Sequence, residues 1–270
     1  HCDESRGEVC EDDRCVPACA ELDTRRETRG CEFWPAQTLN STAGRYGAVN
    51  RRDEFPFALV VNNAWPSRVR VTLDGGGLAS PVAREIAPRG SVTLEVPWQP
   101  ALSDASDPAR RVSTLAPRGA LHLVATAPVT AYQFNPLKFI RSPDCDNSED
   151  CFSFSNDASL LLPAHVLGRS HVVATVPTVR VLPTGSTMWT SAPGFVTVVG
   201  TRPDTRVTFR LRANTVAGSV PELPARRAGE TLELTLGAGD VVQVLSAHDP
   251  RCARTEEDRL TLSTFCLPVE

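Results

Sequence analysis

The sequence lacks the features of a membrane-spanning, nucleic-acid-binding or helical protein. No stretch approaches the about 18–20 consecutive apolar residues that a membrane-spanning helix needs. The net charge of −4 leaves no basic excess for nucleic acid or an anionic membrane, and Lys138 is the single lysine among 28 basic residues. An amphipathic helical stripe is also missing, and 22 prolines would interrupt most helices of useful length. We therefore expect no membrane insertion and no nucleic-acid partner.

Apolar residues are nevertheless numerous enough to bury a core. They make up 41% of the chain against 22% charged residues, which separates it from disordered sequences. Segments of alternating apolar and polar residues recur between Gly, Pro, Asn and Asp, a pattern typical of half-buried strands. The predicted strands are Phe57–Asn62, Arg68–Leu73, Ser91–Val96, Ala120–Ala125, Val129–Phe134, His171–Val176, Gly194–Val199, Arg206–Leu211, Thr231–Leu236 and Asp240–Leu245. The predicted fold class is all-β, of sandwich type.

An internal repeat predicts two related β-sandwich halves in tandem. The segment Phe57–Leu73 aligns without a gap with Phe195–Leu211, across two predicted strands in each copy. The second copy has few strands after it, so we expect truncation at the C-terminus and a place within a larger chain. The predicted parts are a disulfide-rich lead-in (1–30), a first sandwich half (31–140), a disulfide-closed acidic linker loop (141–151) and a second sandwich half (152–270).

Nine cysteines are distributed unevenly along the chain. Their spacings do not provide the repeated close pairs of a zinc site, so we interpret them as disulfides. Disulfides persist in oxidising compartments, which predicts a secreted or cell-surface protein. Proximity predicts the bridges Cys145–Cys151 and Cys252–Cys266. Pairing in the N-terminal group stays open, with one cysteine left over because the count is odd; the group is Cys2, Cys10, Cys15, Cys19 and Cys31.

Motifs for catalysis are not found in the sequence. Gly168–Val172 lacks the last glycine of a serine-nucleophile elbow, and no phosphate-binding loop is present. The five histidines do not have zinc-ligand spacing, and we expect His122 and His171 to be half-buried surface residues on strands. The sequence therefore predicts a non-enzyme without cofactor or metal. A secreted hydrolase, directed at glycan or protein and with its carboxylates on loops, is the alternative.

The loop between Cys145 and Cys151 is rich in acidic residues. An EF-hand beginning at Asp144 would need glycine at its sixth position and glutamate at its twelfth, where the chain has Glu149 and Ser155. We interpret the loop as a solvated acidic turn. A calcium loop of another type is the alternative, with the candidate ligands Asp144, Asp146, Glu149 and Asp150.

Four strings suggest a known family. They are Gly30–Trp34 (GCEFW), Ala131–Pro136 (AYQFNP), Ser155–Pro163 (SNDASLLLP) and Gly194–Val199 (GFVTVV). Together they resemble the IgGFc-binding protein N-terminal domain family in its bacterial, Cys-rich surface-protein form, over roughly residues 30–270. The resemblance implies an extracellular adhesion or ligand-binding module without known catalysis. It does not imply that this chain binds IgG.

Two of these strings contain the candidate ligand-binding residues. Gln133 and Asn135 bring amide groups to the end of an alternating strand, where a protein or glycan partner could be met. Asn156 and Asp157 precede Leu160–Leu162 and suit an Asx turn that starts a buried strand. The alternative role is structural, with these polar groups bonding backbone between the two halves. For the whole chain, a purely structural spacer is the corresponding alternative to a binding module.

Overall fold

The computed structural model describes residues 2–3, 7–21, 27–40, 54–103, 112–145, 151–153, 156–175, 178–181 and 190–247. The regular secondary structure of these residues is almost entirely β-strand, so the predicted all-β class is confirmed. The strands are β1 (Glu8–Glu11), β2 (Arg14–Pro17), β3 (Gly30–Phe33), β4 (Phe57–Asn62), β5 (Val69–Gly75), β6 (Val82–Ile86), β7 (Ser91–Val96), β8 (Thr114–Ala116), β9 (Leu121–Asn135), β10 (Asp157–Leu160), β11 (Val179–Val181), β12 (Thr190–Ala192), β13 (Phe195–Val199), β14 (Thr205–Arg210), β15 (Thr231–Leu236) and β16 (Val241–Leu245); the helices are α1 (Ala18–Glu21) and α2 (Pro100–Ser103), with a 3₁₀ turn at Ala164–Val166.

The long strand β9 joins two sheets. Its first part pairs antiparallel with β5 and β3, and its second part pairs antiparallel with β4 and β10. The outer strands are β6, paired with β5, and β7, paired with β4. The two predicted strands Ala120–Ala125 and Val129–Phe134 are thus one continuous strand that passes from one sheet to the other.

Alternation along β9 explains why both sheets share one core. Every second residue from Leu121 to Ala131 is buried, because successive side chains of a strand point to opposite faces. These side chains meet the inward faces of β4 and β5, including Phe57, Leu59 and Val71, in a single apolar cluster. Burial of these inward-facing residues explains why apolar and polar residues alternate along the predicted strands.

A second group of strands forms around β16. This strand lies between β13 and β8, and all five of its residues are buried. One of its faces, with Val242 and Val244, packs on the inward residues of β15. The other face packs towards the first group of strands, which is the pair of sheets joined by β9. There Val241 meets Ala36, Leu102 and Ala120. The buried Gln243 on that face donates its amide Nε2 to the carbonyl of Leu102 at 3.2 Å.

Strand pairing follows the same order in the two predicted repeat copies. In the first copy β4 pairs with β7 and β5 pairs with β6, and in the second β13 pairs with β16 and β14 pairs with β15. Two strands cross the predicted boundary, since β8 joins the sheet of β16 and β10 joins the sheet of β9. The division into two sandwich halves stays a prediction, and the pairing order is the observation that supports it.

The N-terminal residues form a hairpin of β1 and β2 followed by α1. Two disulfides fasten it: Cys2 is bonded to Cys15, and Cys19 is bonded to Cys31 at the start of β3. A Cβ at Gly7 would lie 2.5 Å from the carbonyl oxygen of Thr126, so the hairpin approaches β9 at backbone distance. The lead-in is therefore attached to the main sheets by covalent and packing contacts.

Two expectations about local structure are wrong. Residues 171–175 form no strand; Val172 is fully exposed, and His171 contacts the carbonyl of Gly168 at 2.9 Å. The strand β10 is exposed along its length rather than buried, with Leu160 at 41%. The physical reason is position: β10 pairs with β9 alone among the described strands, so only the following Leu161 reaches the core.

In the part of the chain that the structure describes, we find no helix long and apolar enough to cross a membrane.

Replacing Gly30 by alanine tests the contact between β3 and the segment after β10. An added Cβ would lie 2.2 Å from the Cβ of Pro163, and neither group can move without shifting backbone. We expect Gly30→Ala to lower the free energy of unfolding by about 1–3 kcal/mol, seen as a lower Tm by circular dichroism. Gly168→Ala is the matched control, since its Cβ would have no atom nearer than 3.9 Å. Equal Tm values for the two variants would contradict the contact.

Candidate functional site

The residues of the AYQFNP and SNDASLLLP strings lie side by side on β9 and β10. Asp157 is directly opposite Asn135, and Ser159 is directly opposite Gln133. Asn156 lies immediately before β10 and is exposed, as is Asp157. The structure thus brings all four sequence-predicted residues to one corner of the sheet, although they lie about twenty positions apart in the chain.

Asn135 makes contacts inside the protein. Its side-chain Nδ2 donates to the hydroxyl of Thr38 at 2.7 Å, and its main-chain oxygen accepts from Nδ2 of Asn40 at 2.6 Å. Its side-chain Oδ1 is buried with no hydrogen-bond partner in the structure. Gln133 is half-buried and shares the face of Leu59, its partner on β4. These two amides therefore lie on the core-facing side of the sheet.

The outward face of the same corner is apolar and exposed. Tyr132 lies opposite Leu160, and Phe134 lies opposite Ala158, so all four side chains share one face. Tyr132 is 38% and Leu160 41% exposed, whereas Phe134 is half-buried. We call these four residues, Tyr132, Phe134, Ala158 and Leu160, the β9–β10 patch.

A cluster around His122 forms a second candidate site. The imidazole stacks on the indole of Trp34 with ring centroids 4.1 Å apart, and its Nε2 lies 3.0 Å from Oε1 of Glu32. Its Nδ1 lies 3.7 Å from Oδ1 of Asp74, so a carboxylate faces each ring nitrogen. Trp34 Nε1 donates to the same Glu32 oxygen at 3.1 Å. His122 is thus half-buried on a strand, as expected from the sequence.

This cluster borders a cleft of about 190 Å³ between the two groups of strands. Its other walls are Arg118, Ala120 and the turn at Ala238 and Gly239. Asp240 holds this turn against the connection between β8 and β9, accepting the backbone N–H of Arg118 at 2.9 Å. The sequence analysis did not predict this cluster. Alternation puts Glu32 and Trp34 on one face of β3, and this face lies near His122 once β3 pairs with β9.

The described residues contain no group of three or more His, Cys, Asp or Glu able to hold a metal ion.

A groove of about 340 Å³ opens between the outer strands β6 and β7. Its floor is formed by core residues such as Leu73 and Leu94, and Arg84 and Glu95 lie at its rim. These two strands are at the two ends of the strand order β6-β5-β9-β4-β7, away from β9 at its middle.

The acidic loop is only partly described. Cys145 and Cys151 are joined by a disulfide, and Asp144 is exposed. The other calcium candidates, Asp146, Glu149 and Asp150, lie outside the described residues, as do Cys252 and Cys266. The calcium alternative and the Cys252–Cys266 bridge therefore stay predictions.

Comparison with known proteins identifies one family. Residues 157–258 match the model of the family described as IgGFc binding protein, a range that begins at β10 and includes β16. The resemblance to this family is confirmed over that range, whereas the strings at 30–34 and 131–136 precede it. Its bacterial, Cys-rich surface-protein form stays a prediction. No curated protein and no solved structure matches the chain.

Alanine substitutions at this corner test which residue stabilises the fold through a hydrogen bond and which is only an exposed surface residue. Asn135→Ala removes the hydrogen bond to Thr38, and we expect it to cost about 1 kcal/mol of the free energy of unfolding. Asp157→Ala, at the exposed position directly opposite, should change it by less than about 0.5 kcal/mol. Urea denaturation followed by tryptophan fluorescence measures both. A larger loss for Asp157→Ala would reverse the two roles.

Proposed function

We propose that this chain, whose residues 157–258 match the IgGFc binding protein family, is a secreted or surface-displayed, non-catalytic module that binds an extracellular protein. The three intramolecular disulfides among the described residues support an oxidising compartment, because such bonds persist outside the reducing cytosol. The family description supports a protein rather than a glycan as partner. The Fc part of IgG is one candidate partner to be tested.

The observation that carries this proposal is the exposed apolar pair Tyr132 and Leu160 in the β9–β10 patch. Aromatic and aliphatic side chains exposed together on a flat sheet face lose contact with water when a partner covers them, which favours association. Tyrosine is also among the residues that contribute most to binding energy in protein interfaces. Two of the four patch residues, Ala158 and Leu160, lie in β10, within the first residues of the family match, and the other two precede it.

A polar residue lies at the edge of the patch. Asn156 is exposed and immediately precedes β10, so it offers hydrogen-bonding groups there, which suits the polar rim of a protein interface. Gln133 and Asn135 belong to the opposite face of β9, and Asp157, directly opposite Asn135, shares that face. We assign Gln133 and Asn135 to stabilising the sheet corner. Of the four candidate ligand-binding residues, the proposal therefore retains Asn156 as a partner contact.

Binding without chemistry fits the described residues better than hydrolysis. Asp74 is the acidic residue among those that line the cleft beside His122, and the neighbouring Glu32 already accepts a hydrogen bond from Trp34 and contacts His122. The 190 Å³ volume of the cleft is below that of common ligand pockets, about 300–1,000 Å³. We assign this cluster a structural role, in which it holds β3, β5 and β9 together beside the junction between the two groups of strands.

The proposed interface is tested by binding measurements on the purified chain. Biolayer interferometry against immobilised IgG Fc, mucin and a panel of other extracellular proteins should give saturable binding to at least one protein. For that protein, Leu160→Ser and Tyr132→Ala should each weaken binding by roughly tenfold or more, as expected for contacts near the centre of an interface.

Val124→Ser is the matched control for this experiment. Val124 is as exposed as Leu160, at 41%, but lies on the part of β9 that pairs with β3 and β5. Its substitution should change the affinity less than twofold. The proposal fails if no protein of the panel binds, or if Val124→Ser weakens binding as much as Leu160→Ser.

A further inference from the structure

We propose that Cys2, Cys10 and Cys15 form a thiol–disulfide exchange site in the N-terminal hairpin, with an intramolecular disulfide as its substrate. Cys15 is bonded to Cys2, and Cys10 is an exposed free thiol. Cys10 is also the residue directly opposite Cys15 in the β1–β2 ladder. A thiol therefore lies beside one sulfur of an existing disulfide, which is the arrangement that exchange requires.

The hairpin turn fixes this arrangement. Only two residues connect β1 to β2, Asp12 and Asp13, and both have positive φ (46° and 61°), as a type I′ turn requires. Glu11 and Arg14 are the pair next to the turn, and Cys10 and Cys15 are the following pair. Because the turn has only two residues and the four residue pairs of the hairpin are in continuous register, Cys10 and Cys15 are held directly opposite each other.

The ladder geometry makes the alternative disulfide feasible. A two-residue turn closes on a hydrogen-bonded pair, so the next pair, Cys10 and Cys15, is of the non-hydrogen-bonded kind, with Cα atoms about 4.5 Å apart. Disulfides span Cα separations of about 4.4–6.8 Å. The existing Cys2–Cys15 bond has a Cα separation of 5.2 Å, within the same range. Both pairings of Cys15 are thus compatible with the backbone.

The exchange step needs no outside oxidant or reductant. The Cys10 thiol gives its proton to solvent, and the thiolate attacks Sγ of Cys15. The Cys10–Cys15 bond forms as the Cys2–Cys15 bond breaks, and the electron pair of the broken bond leaves on Sγ of Cys2, which then takes a proton. One disulfide and one thiol are present before and after the step, so no net oxidation occurs.

Exchange would move the reactive thiol from the hairpin strand to residue 2. Cys2 and the neighbouring Asp3 would lose their covalent tie to β2 and keep the backbone hydrogen bond from Glu8 to Asp3. The rest of the lead-in would remain in place, because the Cys19–Cys31 disulfide ties α1 to β3 independently. The site would thus offer a thiol from either of two positions for exchange with the disulfides of other extracellular proteins, without unfolding the sheets.

Disulfide mapping of the full chain tests the exchange directly. The protein is equilibrated in a glutathione redox buffer, quenched with acid and alkylated with N-ethylmaleimide. Trypsin cleavage after Arg6 and Arg14 then puts Cys2, Cys10 and Cys15 in three different peptides. We expect two species, one with alkylated Cys10 and a Cys2–Cys15 link, the other with alkylated Cys2 and a Cys10–Cys15 link. Finding label on Cys10 alone, with only the Cys2–Cys15 link, would overturn the proposal.

Serine variants give an independent check. In Cys2→Ser we expect Cys10 and Cys15 to be linked and neither to be alkylated. Cys19→Ser is the matched control: it also removes one partner of a lead-in disulfide, but Cys31 should then be alkylated while the Cys2–Cys15 link persists. If Cys2→Ser, with a circular dichroism spectrum like that of the unmodified chain, shows both Cys10 and Cys15 alkylated, the ladder pair does not form a disulfide and the proposal is wrong.

Discussion

The burial of one side of β9 is the constraint on which the rest of the structure depends. Each residue from Leu121 to Ala131 in alternate positions contributes to a core shared by two sheets. The strand can do this only because its two parts pair with different neighbours, β5 and β4. A one-residue slip in register would turn this apolar row outward, so the same alternation that stabilises the core also fixes which residues face solvent.

The outward face set by β9 is where the proposed interface lies. Tyr132 and Phe134 point away from the core because Ala131 and Val129 point into it. The partner strand β10 extends this face instead of covering it, and the contact of Gly30 with Pro163 holds the following segment against β3. The proposed binding surface and the core are thus two sides of the same strand, and packing of the core side fixes which side chains the outward side presents.

The two groups of strands are joined by burial rather than by a linker alone. Because β16 is buried on both faces, Val241 and Gln243 contribute to the junction while Val242 contributes to the second core. The chain also passes strands across the junction, with β8 on one side and β10 on the other. Disulfides act elsewhere, at the lead-in and the acidic loop, where few apolar residues are available to hold the chain.

Alternation and turn residues in the sequence by themselves determined the β class and most strand positions, since β4, β7 and β15 begin and end where the pattern predicts. Alternation does not state which strands become neighbours. Tertiary structure therefore decided that β10 is exposed, that residues 171–175 form no strand, and that His122 meets Glu32. Cysteine count likewise predicted one unpaired thiol, but only the hairpin register put Cys10 opposite Cys15. Pairing across distant chain segments depends on packing of the whole core, which no local pattern encodes.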